Sequence, residues 1–528
     1  MQTPFSRRGM VSAPHHLASQ AGLDILKAGG TAIEATVAMA ATLSAVYPHM
    51  TGLGGDAFWL ILWPDGRNVS IEACGALAHA ADAAFYAGYD QIPWRGGLAA
   101  NTVAGTVAGW EKALQMSAEQ QPNLPLERLL RDAIYYAEHG RVVTQGEADL
   151  LKEKQSELIG NTAFAEQFYP NGEPLEAGSV QAMPGLAKTL KILLRDGLRS
   201  FYEGAIARMI AEDLADVGSP VRYEDGAEYN AALKEPLMVE YSCGHILNTA
   251  PPTQGVASLL ILALQDRLRP CGEAESADYI HGLVEATKIS FQYRNKNIDG
   301  RLEAEQHARD LLNNTAALDD SAAKIDMKTS LPWNEQTQWG DTTWMGAVDH
   351  HGIAVSFIQS IYFEFGSGIL LPQTGLIWQN RGTSFRLAKA GWNALTPGQK
   401  PFHTLNPAAA RLKDGRVMVY GTMGGEGQPQ TQAVIFSRYV QHGISLQEAV
   451  CRPRWLLGRT WGEESTSLKM EPGFHADVLD ELRQRGHDVE LLSTRSGLMG
   501  HAGALVRYQG GRLEGATDPR SDGAVAAW

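Results

Sequence analysis

The sequence predicts an α+β protein in which two sheets lie between two layers of helices, an α/β/β/α arrangement built as one domain. Three observations carry this. Apolar residues recur at helical spacing through most of the first 330 positions, and short β-rich runs dominate from Thr342 onward. No internal repeat, low-complexity segment or long Pro/Ser linker separates the two regions, so they are expected to share one core.

Taken in order, residues 17 to 46 (LASQAGLDILKAGGTAIEATVAMAATLSAV) read as two helices joined at Gly29 and Gly30. A glycine turn in PHMTGLGGDAFWLILW then leads into a strand. The middle, about 110 to 330, reads as mostly helical, with LERLLRDAIYYAEHG and SADYIHGLVEATKISFQYRNK the clearest helices and PNGEPLEAGS a polar connection. From Thr342 come TTWMGAVD, a turn at HHG, IAVSFIQS, GILLPQTGLIWQN, RVMVYG and GALVRYQGGRLEGATD. Asp349 to Gly352 joins the first two of these as a hairpin.

At 528 residues, with 44% hydrophobic and 20% charged side chains, the chain can bury a large core and is neither disordered nor fibrous in composition. A formal net charge of −14 provides no basic field, so neither nucleic acid nor an anionic membrane is an expected partner. Cys74, Cys243, Cys271 and Cys451 are far apart with no CxxC pair, and are expected as reduced thiols rather than a zinc site or disulfide framework. No secretory signal opens the sequence and no run reaches about 18 apolar residues, which makes a cytoplasmic protein the expectation.

Several common chemistries lack their motifs. GTMGGEGQPQTQ, from Gly421, resembles a phosphate loop but has no Lys-Ser/Thr ending. Its glycines either make a turn after RVMVY or, at Gly424 and Gly425, let backbone N–H groups approach a developing oxyanion. There is no GxSxG elbow, HExxH or Asp-rich loop, and the pairs His15-His16 and His350-His351 have no second ligand at metal spacing and read as solvated loop residues. Thr342 and Thr343 are either ordinary β-formers at a strand head or, after Asp341, a hidden amino terminus.

The ordered segments GMVSAPHHLASQAGLDILKAGGTAIEATVA, MTGLGGDAFWLI, VAGTVAGW, PPTQGVASL, HGLVEATKISFQYR, DTTWMGAVD, FGSGILL, NRGTSF, GTMGGEGQPQTQ and DPRSDG resemble, over nearly the whole chain, the γ-glutamyltransferase family of N-terminal-nucleophile hydrolases. That resemblance implies a four-layer αββα sandwich and a precursor that cuts itself between Asp341 and Thr342. The products would be a large subunit, 1–341, and a small subunit, 342–528, together forming one structural domain. Thr342 would supply both the nucleophilic hydroxyl and, as a freed α-amine titrating near about 8, the general base. Thr343 would assist positioning, and Gly424 and Gly425 would form the oxyanion hole. No metal or organic cofactor is implied, and the processed pair of subunits is a possible homo-oligomer.

The substrate-contact positions depart from the family. Cys74 stands where glutathione-handling members have an Arg, Ser384 where they have an Asp, His403-Thr404 where they have Ser-Ser, and Ser360 where they have an Asn. The stretch from Phe385 to Pro401 is short, which implies a small lid or none and a more open site. One cation is gained, since Arg381 replaces a Gln. It is either a surface salt-bridge residue or the binding group for a carboxylate much closer to the scissile carbonyl than in a γ-glutamyl group. The expected function is hydrolysis of a small carboxylated amide, with Arg381, His403, Thr404, Ser360, Ser384 and Cys74 around the substrate. The alternatives are a γ-glutamyl hydrolase or transferase, an acylase with a modified pocket, or an unprocessed binding protein.

Overall fold

The computed structural model describes residues 2–268, 273–333, 342–458 and 465–528. Fourteen strands build two seven-stranded sheets. In chain order they are β1 (Phe5–Ser6), β2 (Met10–Ala13), β3 (Asp56–Leu62), β4 (Asn68–Ala73), β5 (Ala232–Lys234), β6 (Leu237–Tyr241) and β7 (Gly244–Asn248). They continue with β8 (Thr343–Val348), β9 (Ala354–Ser360), β10 (Ala408–Leu412), β11 (Val417–Thr422), β12 (Ala502–Arg507), β13 (Leu513–Thr517) and β14 (Ala524–Ala527). One sheet runs β14-β2-β8-β9-β3-β4-β5 and the other β1-β13-β12-β11-β10-β7-β6, and neighbours are antiparallel throughout.

Each sheet is buried on both faces, which is why its inner strands are apolar at nearly every position rather than alternating. Met10, Leu60, Val348, Val419 and Leu505 meet between the sheets. Helices α1 (His16–Lys27), α2 (Ala32–Val46) and α3 (Leu126–His139) pack on the outer face of the first sheet, through Val37, Leu43 and Leu130 against Trp59, Met345 and Phe357. Helices α4 (Gly255–Leu268), α5 (Ala277–Asn297) and α6 (Gln428–Val440) cover the second, through Leu260, Ile280 and Phe436 against Ile246, Met418 and Tyr420. The break between α1 and α2 falls at Gly29, with φ 90°, and α2 begins on a capping box of Thr31 and Glu34. Asp349 holds the hairpin turn, accepting from Ile353 N at 3.0 Å and from Ala32 N at the start of α2 at 2.8 Å.

The layering is the expected one, with one correction. The middle of the chain is not only helical, since β5, β6 and β7 lie in it and fill the edge of both sheets. The segment LMVEY alternates buried Leu237, Val239 and Tyr241 with exposed Met238 and Glu240, a period-two pattern that the surrounding helical periodicity masks. Conversely α6 belongs to the strand-rich last third, so each outer layer and each sheet draws on the chain widely. Among the described residues no helix is long and apolar enough to cross a membrane, and Cys74, Cys243 and Cys451 are free thiols. Cys271 lies outside the described residues.

Candidate active site

The register of the first sheet puts the candidate residues in a row. Thr343 pairs with Gln359, so Thr342 falls opposite Ser360; Ser360 pairs with Asp56; and the Ala57–Ala73 pair carries the next step to Cys74. Directly paired antiparallel residues share a face and successive strands are about 4.8 Å apart, so the row from Thr342 to Cys74 spans about 14 Å. That face is the one between the sheets, because Trp344, Ile358, Phe58 and Cys74 cluster there with Leu405. Thr343 points the other way, toward the helix layer, and its hydroxyl donates to Gln359 O at 2.8 Å. Thr342 is 1% exposed, while Asp341 lies outside the described residues.

The opposite wall comes from the second sheet. After β11 the chain turns through Gly424 (φ 118°) and Gly425 (φ 47°), conformations that a side chain disfavours. Gln254 fixes this turn: its Nε2 donates to Gly425 O at 2.8 Å and to Thr404 O at 2.7 Å, and its Oε1 accepts from Arg294 Nη1 at 2.7 Å. Arg294 in turn pairs with Glu426 at 2.6 Å, both buried. Trp344 spaces the two sheets. A Cβ on Gly421 or Gly503 would lie 2.1 or 2.3 Å from its ring, and its Nε1 donates at 2.9 Å to Ser356 Oγ, which itself donates at 3.1 Å to Tyr420 O.

Arg381 opens a short 3-10 turn, Arg381–Ser384, and is 1% exposed, so it is not a surface salt-bridge residue. Its guanidinium carbon stands 3.4 Å from the centroid of the Tyr362 ring, and Nη1 donates to Thr404 Oγ1 at 3.1 Å. Nε and Nη2, the two donors that form the carboxylate-binding fork, make no hydrogen bond among the described residues. Burial pulls the pKa of Arg381 below its ordinary value, against the opposing pull of Tyr362 and Asp56. Tyr362 is itself held at φ 80°, rare for a large side chain, with its N–H donating to Ser360 Oγ at 2.8 Å.

Asp56 is the residue that motif reading passed over. Its Oδ1 accepts from Gly75 N (3.1 Å), Gly105 N (3.0 Å) and Gln379 Nε2 (3.1 Å), and its Oδ2 lies 3.2 Å from His403 Nε2. His403 Nδ1 accepts from Leu405 N at 3.4 Å, which leaves the proton on Nε2 to donate to Asp56. Burial pushes Asp56 up to about 7, despite Gln379, the two backbone donors and Arg381, whereas burial and Arg381 push His403 well below its ordinary value. The GGD run in TGLGGDAF was the available signal, a carboxylate following a glycine turn at a strand head.

The remaining candidates divide. Thr404 joins Arg381 directly and Ser360 sits in the row opposite Thr342, while Ser384 is turned into the fold, its hydroxyl donating to Phe402 O at 3.4 Å and accepting from Asn393 Nδ2 at 3.4 Å. Cys74 is buried beside Asp56, and burial followed by Glu72 raises its thiol well above the ordinary range, so it is neutral and no substitute for a cation. The expectation of an open site differs from the structure: Thr342, Ser360, Arg381, His403, Thr404 and Ser384 are each no more than 3% exposed. The Tyr362 ring covers Arg381 without a long 385–401 segment. His15 is also buried, not solvated. It caps α1 by accepting from Leu17 N, and burial, followed by His16 and Arg141, lowers its pKa to about 3.

Among the described residues one group has the makings of a metal site, His281, Glu285 and His487. Its polar atoms already satisfy one another. His281 Nδ1 and His487 Nε2 are 2.7 Å apart, and the Lys288 ammonium, 2.8 Å from Glu285, supplies the positive charge.

Two antiparallel sheets between helix layers, with a threonine heading an interior strand and a glycine turn facing it, define the N-terminal-nucleophile class of hydrolases. Within that class the chain belongs to the gamma-glutamyltranspeptidase family, whose model matches residues 18–528. It is 51% identical over 524 residues to the oxamate amidohydrolase proenzyme of Klebsiella pneumoniae subsp. pneumoniae, covering 99% of both chains. It is 37% identical over 521 residues to the glutathione hydrolase-like YwrD proenzyme of Bacillus subtilis, covering 98% of each. The crystal structure of cephalosporin acylase from Bacillus halodurans matches with a TM-score of 0.88 at 30% identity, over 100% of this chain and 97% of that one. The chain is thus an amide-bond hydrolase made as a self-cleaving precursor.

Proposed function

We propose that this protein hydrolyses oxamate to oxalate and ammonia, using Thr342 as nucleophile. The observation that carries the reading is the buried Arg381 fork, whose Nε and Nη2 have no partner of hydrogen-bond geometry among the described residues, beside Thr404 and His403. A buried guanidinium edge without a partner is costly, and a carboxylate is the group whose two oxygens match it. The likeness to the Klebsiella oxamate amidohydrolase supports the same substrate.

Self-cleavage between Asp341 and Thr342 would free the α-amine and leave subunits 1–341 and 342–528. Thr342 Oγ adds to the amide carbon while its proton passes to that amine, and the Gly424 and Gly425 N–H groups receive the oxyanion. Ammonia leaves with the proton returned by the amine, and water then opens the oxalyl ester, releasing oxalate. Thr343 holds the strand head through Gln359 O. The reaction would serve purine (allantoin) breakdown in the cytoplasm, with the processed pair able to assemble further.

The test is incubation of purified protein with oxamate, assaying ammonia and oxalate, with Thr342→Ala as control and intact mass to locate the cut. Ammonia from the processed protein alone is expected. Complete processing with oxamate inert, and a γ-glutamyl anilide turned over instead, would move the assignment to the glutathione-type reading.

A further inference from the structure

The pocket around Arg381 is close to electrically balanced before any substrate enters. Above about pH 7 Arg381 carries one positive charge and Asp56 one negative charge, while His403 is neutral with its Nδ1 facing Leu405 N–H. Cys74 is a neutral thiol on the next strand, and Lys400 beyond it is committed to Glu72. On the helix side of Asp56 the phenols of Tyr202 and Tyr229 are buried and held neutral, chiefly by that burial. Asp56 holds His403 and Arg381 holds the adjacent Thr404, so the two charges act on each other across one residue pair, and a carboxylate docking on the Arg381 fork adds a second negative charge near the same guanidinium; carboxylates that draw on one buried cation resist being ionised together.

We infer that the Asp56–His403 pair takes up one proton from solvent when a substrate carboxylate binds Arg381, so the pocket accepts its anion and a proton together. This rests on the carboxylate-binding reading of Arg381. The proton bookkeeping is closed, since one proton enters the pair on binding and leaves it when the acid product departs. The carboxyl of Asp56 is the place for it, because Leu405 N–H faces the free nitrogen of His403 and Arg381 opposes an imidazolium. Asp56, already pushed up to about 7, is at the edge of accepting that proton at neutral pH. Asp56 is in this sense a specificity-determining residue. It tunes how strongly the site prefers an anionic amide to a neutral one.

The experiment compares oxamate with oxamide, its neutral isostere, as substrates of the self-cleaved protein from pH 5.5 to 9. The ratio of their kcat/KM values cancels the titration of the Thr342 amine, which both reactions share. The expected ratio is level below about pH 7 and falls toward tenfold per unit above it. Asp56→Asn keeps an acceptor for Gly75, Gly105 and Gln379 and should make the ratio level throughout. In parallel, calorimetric titration of pyruvate, which has the carboxylate and carbonyl of oxamate but no amide to cleave, in two buffers of different ionisation heat at pH 8 should register uptake of close to one proton in the unsubstituted protein. Turnover with a pH-independent ratio and no proton uptake overturns the inference and leaves the oxamate function standing. Binding of pyruvate with proton uptake but without turnover of oxamate upholds the inference and removes the function. No binding of pyruvate and no turnover of oxamate removes both. If Asp56→Asn fails to self-cleave, the ratio and the calorimetry of the unsubstituted protein still decide.

Discussion

Replacing Arg381 by Ala tests the substrate pocket most directly. Among the described residues the side chain donates to Thr404 Oγ1 and stacks on and interacts electrostatically with Tyr362, while its own burial is unfavourable. Losing the first two costs about 1 to 2 kcal/mol, and relief from burying a charge offsets part of it, so stability should change little. The substrate loses a two-pronged charged contact, on the order of 2 to 4 kcal/mol, which at about 1.36 kcal/mol per factor of ten is roughly a 30-fold to 1,000-fold loss in kcat/KM. Oxamide makes no such ion pair, so its kcat/KM should fall by less than about threefold, separating a lost contact from a distorted site. Steady-state ammonia release with both amides measures this. A loss under about threefold on oxamate, or an equal loss on both amides, would refute the role given to the Arg381 fork.

Thr342→Ala should run on a denaturing gel as a single chain of full length, whereas the unsubstituted protein gives chains of 341 and 187 residues, the latter being 528 less 341. Gly424→Ala forces a side chain into φ 118° and moves the proposed oxyanion donor, so it should lower kcat by about 100-fold to 1,000-fold with little change in KM. Glu426→Gln leaves Arg294 buried without its counter-charge and should destabilise the fold by about 3 to 5 kcal/mol in denaturant unfolding. His15 and His487 are both held near 3 when folded, chiefly by burial, against 6.5 when unfolded. The unfolded chain therefore binds more protons between those values, and Tm should fall as pH drops from about 6.5 toward 4. A level Tm over that range would count against their neutral burial.

What could be seen in the sequence was whatever chemistry travels with a local motif. The helix break at Gly29-Gly30, the hairpin at Asp349 to Gly352 and the strand entered at Thr343 each declare themselves within about ten residues. Arg381 stood out as a cation in an altered motif, but its burial did not, since that depends on Tyr362 closing over it. Asp56 was invisible as a site residue because its meaning lies in His403, 347 positions away, and in backbone donors from two other loops. The Gln254–Arg294–Glu426 support was hidden for the same reason, with Arg294 and Glu426 separated by 132 positions. Ser384 is the reverse case, a position that a motif offers to the substrate and whose hydroxyl also reaches Phe402 O and Asn393 Nδ2 in the fold, a contact no local pattern announces.

Trp344 sits two residues beyond Thr342, wedged where Gly421 and Gly503 leave it room and tied through Ser356 to Tyr420. The cut proposed before Thr342 severs the strand on one side only, and every one of these moorings lies on the other. The indole acts as a gauge block between Thr342 and the glycine turn, so the spacing on which the proposed acyl transfer depends would be set before the chain is broken and inherited unchanged afterward. Any residue that thickens this layer, even one distant from the substrate, would be read out as a slower enzyme rather than an unfolded one.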